Sequence, residues 1–172
     1  MTGKPVALRE LVATYRAGPS AGDVRFRRIV RPELAAAAAR VFLDNLADEH
    51  HLCLYLSARY DVICYRLRAG GATCAYVDAR SVMRDALLGS AQGLITAHNH
   101  PSGEVEPSDE DRSLRSTIAA FCEVMNIDYV DDLIIGRSPT GEPRVYSAIE
   151  SREMPHVKEK AAAVVRGLRG TL

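Results

Sequence analysis

The chain has 172 residues, 47% of them apolar and 26% charged, which suits one globular domain with room for a core. Its formal net charge is zero, so the chain as a whole exerts no electrostatic pull on nucleic acid or on an anionic membrane surface. No apolar run reaches the roughly 18 residues of a bilayer-spanning helix, and Met1-Thr2-Gly3-Lys4-Pro5 lacks the apolar centre of a secretory signal.

A cytoplasmic location is therefore expected, with no membrane partner and with thiols kept reduced. Cys53, Cys64, Cys74 and Cys122 show no CxxC spacing and read as small core residues.

Residues 1–31 carry seven basic side chains against Glu10 and Asp23, a net of +5, and include the linker-like stretch Ala17-Gly18-Pro19-Ser20-Ala21-Gly22. They read as a basic arm, partly irregular, either solvated or in contact with phosphates. Pro32 suits the first turn of a helix, and Leu34, Ala38, Val41, Phe42, Asn45 and Leu46 mark one face of a helix over about 32–47. Leu52 to Leu56 reads as a strand buried on both faces, and Val62 to Arg68 as its antiparallel hairpin partner. A further strand is expected over Thr73–Val77 and a helix over 80–88, with Val82, Met83, Ala86 and Leu87 inward. Gly93 to His98 is a short strand, Asn99 to Pro107 a polar loop, and 108–125 a helix with Leu114, Ile118, Phe121 and Met125 on one face. Strands over Ile127–Gly136 and Arg144–Ile149 follow, then a terminal helix over 154–168 carrying Val157, Ala161, Val164, Val165 and Leu168. Helices flanking a mixed sheet is the fold class these elements imply.

The chemistry concentrates in His98-Asn99-His100-Pro101-Ser102-Gly103 and Pro107-Ser108-Asp109-Glu110-Asp111. Two histidines two apart at a strand end point to one side, and neutral imidazole is a favoured zinc ligand. Pro101, Gly103 and Pro107 turn the loop back, so Asp111, in the first turn of the next helix, can return a carboxylate to the histidines. Two histidines and one carboxylate leave a fourth position open, the arrangement of a catalytic zinc ion, which lowers the pKa of its water to about 7. Proton transfer needs a further group. Glu49, just before the Leu52–Leu56 strand, can supply it if that strand adjoins the one ending at His98. Ser108, at a helix N-terminus, can donate to a developing oxyanion. Each residue also has a purely structural reading. Ser108 and Asp111 fit a helix capping box, His98 a core histidine, His100 a loop histidine, and Glu49 a solvated acid.

His98-x-His100-Pro101 with Ser108-x-x-Asp111 resembles the JAMM (MPN/JAB) metalloprotease motif, and the fuller string with Ser102-Gly103 and Pro107-Ser108 resembles its RadC branch. Asp48-Glu49-His50-His51-Leu52 is similar to the glutamate-bearing segment of that family, and Asp132-Leu133-Ile134-Ile135-Gly136 to its downstream strand. The resemblance spans about 31–149 and divides the chain into the arm at 1–31, a RadC-like JAB/MPN domain at 32–149 and a helical extension at 150–172. It implies an α/β fold, a curved mixed sheet with helices packed on it, similar to cytidine deaminases. It makes His98, His100 and Asp111 ligands of one Zn2+ ion, Glu49 the general acid/base and Ser108 the oxyanion stabiliser. A zinc metallopeptidase or isopeptidase acting on a peptide or an isopeptide-linked protein is the implied activity. A DNA-associated accessory protein with a non-essential metal site is the alternative, carried by the basic arm. The chain departs from the family in two places. Too few residues precede 32 for the upstream helix-hairpin-helix-like region of full-length RadC proteins, and Asp78-Ala79-Arg80-Ser81 stands where the family often has His-Pro-Arg-Glu. A deaminase is excluded, because position 100 is His rather than Glu and no PCxxC is present. Oligomeric state is not fixed by the sequence.

Overall fold

The structure is a computed structural model that describes residues 28–70 and 77–169. The arm through residue 27, most of the strand expected over Thr73–Val77, and Cys74 lie outside the described residues. The elements are α1 (Pro32–Leu43), β1 (His50–Leu56), β2 (Val62–Ala69), α2 (Ala79–Leu88), β3 (Gly93–Asn99), α3 (Asp109–Met125), β4 (Asp128–Arg137), β5 (Pro143–Ser147) and α4 (Glu153–Arg169). The described strands form one mixed sheet in the order β2-β1-β3-β4-β5. β1 is antiparallel to β2 and β3, β3 is parallel to β4, and β4 is antiparallel to β5. No helix among the described residues is long and apolar enough to cross a membrane.

Side chains alternate across this sheet, and each face has its own core. Leu52, Leu54, Leu56, Ile95, Ala97, Leu133 and Ile135 pack against α1. Cys53, Tyr55, Leu94 and Tyr129 pack against α2, α3 and α4. The buried Cys53 and Cys122 are core residues, and Cys64 is half-buried. Burial pushes the Cys53 thiol up to about 11 and the Cys122 thiol up to about 12, which leaves neither as a thiolate at neutral pH.

All four described helices are turned differently from the expected faces. α1 ends at Leu43 rather than near 47, because Asp44 is extended and Asn45 adopts a left-handed φ of 65°. Its buried stripe is Ala35, Ala38, Ala39 and Leu43, in which the alanines let the helix lie close to the sheet, while Leu34 and Val41 are exposed. In α2, Leu87 is exposed and Asp85 is buried in its place. Burial works to raise the Asp85 pKa, but hydrogen bonds and charge from Arg66, Arg84 and Arg68 hold it low. In α3, Phe121 and Met125 are exposed, and Arg115, Ala119 and Cys122 join Ile118 inside. In α4 the buried positions are Met154, Ala161 and Val165, with Val164 and Leu168 exposed.

Candidate metal centre

His98 and His100 leave the carboxy end of β3, where the backbone N–H of His100 still donates to the Ile135 carbonyl at 3.0 Å and extends the parallel pairing with β4. The loop then doubles back. Gly103 at φ 82° packs so tightly on β4 that a Cβ there would sit 2.0 Å from the Arg137 carbonyl oxygen, and one on Gly136 would meet the Gly103 oxygen at 2.5 Å. Both positions need glycine for this close approach. Along the rest of the loop Arg144 pairs with Glu104 at 3.3 Å and Arg112 with Glu106 at 2.7 Å, both at the surface. Ser108 then caps α3. Its hydroxyl accepts from the Asp111 N–H at 3.1 Å, and the Asp111 carboxylate accepts from the Ser108 N–H at 2.8 Å. The capping box and the return of Asp111 to the histidines are the same geometry, since Asp111 uses one oxygen mainly for the cap and turns the other toward His98.

His98 Nε2 lies 3.0 Å from His100 Nε2, 3.3 Å separate His98 Nε2 from Asp111 Oδ1, and 3.7 Å separate His100 Nε2 from Asp111 Oδ2. Two donors about 2.0–2.1 Å from one zinc ion at the tetrahedral angle stand about 3.4 Å apart, and the three separations straddle that value. The donor chemistry fits as well. His100 Nδ1 is 2.9 Å from the Glu104 carbonyl oxygen, an acceptor only, so Nδ1 carries the proton and the Nε2 lone pair faces the site. The Asp111 carboxylate raises His100 above the usual imidazole range. Burial works to raise Asp111 itself, but hydrogen bonds to His100 and His98 hold it far below the usual carboxylate range. The cluster thus sets one carboxylate against two imidazoles in a largely buried corner, where a bound cation would take the place of the imidazole protons that offset the carboxylate. Among the described residues this is the one group of His, Cys, Asp and Glu side chains whose ligand atoms all lie within 4.8 Å of one another.

Glu49 immediately precedes β1, the strand that adjoins β3. β1 pairs with β3 so that His51 lies directly across from His98, and the Glu49 carboxylate is 3.0 Å from His51 Nε2. The His51 and His98 rings stack at 4.9 Å. Burial, and after it the charge of His98, lowers the His51 pKa. Ser108 is close to Asp111, with its hydroxyl donating to Asp111 Oδ2 at 2.7 Å.

Sequence reasoning did not single out three further residues. His51 completes a line Glu49–His51–His98. Alternation along β1 separates it from His50, but only once the sheet face is known. Asn99 points to the opposite side from its histidine neighbours. It accepts from the His50 N–H at 2.8 Å and donates to the Asp48 carbonyl at 3.0 Å, gripping the backbone on both sides of Glu49. Arg115, one helical turn beyond Asp111, is buried behind the triad against Asp132 at 2.8 Å. Here a cavity of about 20 Å³ is lined by His51, Thr96, His98, Asp111, Arg115 and Asp132 among others, room for a single water molecule.

A RadC-like JAB domain model matches residues 29–152. The chain belongs to the RadC-like JAB domain family. Its five-strand sheet flanked by four helices is consistent with the JAB/MPN fold. A UPF0758 protein of Chlorobium luteolum (strain DSM 273 / BCRC 81028 / 2530) is 35% identical over 97 residues, which are 56% of this chain and 44% of that protein. A UPF0758 protein of Shouchella clausii (strain KSM-K16) is 34% identical over 109 residues, 63% of this chain and 47% of that protein. The chain thus spans less than half the length of either relative.

Proposed function

We propose that this RadC-like JAB domain is a metal-dependent hydrolase of the JAMM type, a metallopeptidase or isopeptidase that cleaves an amide bond in a peptide or an isopeptide-linked protein. The observation that carries the reading is the convergence of His98, His100 and Asp111, whose ligand atoms lie within 4.8 Å of one another, with Glu49 immediately before the adjoining strand β1. Zinc held by these three residues supplies a water of lowered pKa and a Lewis acid for the scissile carbonyl. Glu49 takes a proton from the attacking water and returns it to the leaving amine, so that water and amide give acid and amine. His51, bonded to Glu49 and stacked on His98, holds that carboxylate toward the site, and Asn99 holds the backbone that bears it. Ser108 steadies the oxyanion by swinging its hydroxyl hydrogen from Asp111 to the substrate oxygen.

Metal content and hydrolysis of peptide and isopeptide probes, measured on the wild type and Glu49→Gln, test this reading. Glu49→Gln should keep its zinc and lose about 10²- to 10⁴-fold in rate, the usual worth of a positioned acid/base. Equal rates would remove Glu49 from the mechanism. Metal-loaded wild type that hydrolyses neither class of probe would overturn the hydrolase reading.

A further inference from the structure

Asp111 and Arg115 lie four residues apart on α3 and so share one face of the helix. Arg115 is 1% exposed. Its Nε donates to Asp132 of β4 at 2.8 Å, and its Nη1 donates to Glu153 at 2.6 Å and to the Tyr146 hydroxyl at 3.1 Å. The other Glu153 oxygen accepts from Arg112 at 2.6 Å, so one carboxylate at the start of α4 clamps Arg112 and Arg115, which both follow Asp111 on α3. Asp132 in turn accepts from the Thr96 hydroxyl at 2.6 Å, and Thr96 precedes His98 by two residues on the same face of β3. One charged network therefore reaches both halves of the triad, Asp111 through α3 and His98 through β3.

From this geometry we propose that Arg115, clamped between Asp132 and Glu153, is a positioning residue for the metal centre, and that α4 is thereby part of the metal site. Glu153 lies just past the residues 29–152 matched by the family model. The triad sits on two elements, a strand end and a helix start, which share the sheet's second core through residues such as Leu94 and Ile118. Something must fix how far α3 is rotated over the sheet, since a turn of a few tens of degrees would carry Asp111 away from both imidazoles. Apolar packing supplies part of that constraint, through Ile118, Ala119 and Cys122 on the α3 face toward the sheet. A guanidinium with fixed fork geometry, held by carboxylates on β4 and α4, fixes it tightly. Substituting it leaves Asp132 buried without its cation, a strong incentive for α3 to shift.

The inference rests on the triad binding a metal, the first element of the proposed function, and not on hydrolysis. Zinc affinity by competition with a chromophoric chelator, and the visible absorption of the Co2+-loaded chain, test it on the wild type, Arg115→Met, Arg115→Lys, Glu153→Gln and the distant core variant Leu54→Ala. Arg115→Met should bind zinc about 10- to 100-fold more weakly, the usual effect of losing an outer partner of a metal site, with an altered Co2+ spectrum. Glu153→Gln should show a smaller loss in the same direction. Arg115→Lys, which keeps the charge but not the fork, should fall between wild type and Arg115→Met. If Arg115→Met does not fold, Glu153→Gln decides, since Glu153 is partly exposed. Affinities within two-fold of wild type, or losses no larger than that of Leu54→Ala, would overturn the proposal. A wild type that takes up no metal overturns the metal reading and this inference with it, whereas a metal-binding wild type matched by its variants overturns this inference alone.

Discussion

On the α1 side of the sheet Leu52, Leu54, Leu56, Ile95, Ala97, Leu133 and Ile135 form a hydrocarbon core, with the buried polar side chains of Asn99 and Asp131 as exceptions. On the other side the same three strands present His51, Thr96, His98 and Asp132, gathered toward the carboxy ends of β3 and β4. The difference is one residue of register, since Thr96 and His98 alternate with Ile95, Ala97 and Asn99. The dry face is held by area removed from water and tolerates no hole. The wet face spends backbone turns, caps and ion pairs on holding a few polar atoms at chosen separations. The two faces should therefore fail in different ways: damage to one lowers stability, and damage to the other lowers metal affinity.

The largest expected effect belongs to the dry face. Leu54 is fully buried, and Leu54→Ala should cost about 2–5 kcal/mol of stability, a large share of the roughly 5–15 kcal/mol typical of a domain. Urea unfolding checks this, and zinc affinity of the folded fraction should stay within about two-fold of wild type. A parallel loss of zinc affinity would show that the faces are not separable. Asp111→Asn inverts the pattern. Zinc affinity should fall by about 100-fold or more, at or beyond the upper end for an outer partner, while the midpoint of unfolding without metal moves little. The asparagine can still accept the Ser108 N–H and keep much of the cap. If Asp111→Asn unfolds the chain instead, the carboxylate serves mainly to cap α3.

Most of the element order was legible because period-two and period-3.6 patterns survive in a single sequence. The triad was legible for the same reason, since its ligands lie within 14 residues of one another, on a strand end, a loop with obligatory turns and a capped helix start. What was not legible depends on partners remote in sequence. Arg115 inside α3, with Phe121 and Met125 outside, makes sense only once Asp132 and Glu153 are known to face it, 17 and 38 residues away. Asp85 replaces Leu87 on the inner face of α2 because Arg66 and Arg68 reach it from β2. The end of α1 follows Asp44, which Arg40 and Arg137 hold in ion pairs. Hydrophobic periodicity assigns charged residues outward by default, and it misplaces a helix face wherever a buried ion pair replaces an apolar contact.

The smallest and sharpest expectation concerns Gly103, where the wet face depends on backbone shape rather than on any side chain. A methyl group there would meet the Arg137 carbonyl oxygen at 2.0 Å, at a φ of 82° that side-chain-bearing residues rarely adopt. The loop must then lift from β4, and with it the Glu104 carbonyl that holds the proton on His100 Nδ1. The triad residues themselves are untouched, and the core behind them is unchanged. Gly103→Ala should therefore weaken zinc binding by about 10-fold, the lower end for loss of an outer hydrogen-bond partner, and lower stability only by the strain of one unfavourable residue, about 1 kcal/mol. A chelator titration beside a urea curve separates the two numbers. Unchanged affinity with a normal unfolding curve would mean that His100 is held by its backbone bond to Ile135 alone, and that the loop between the histidines and α3 is a connector rather than part of the site.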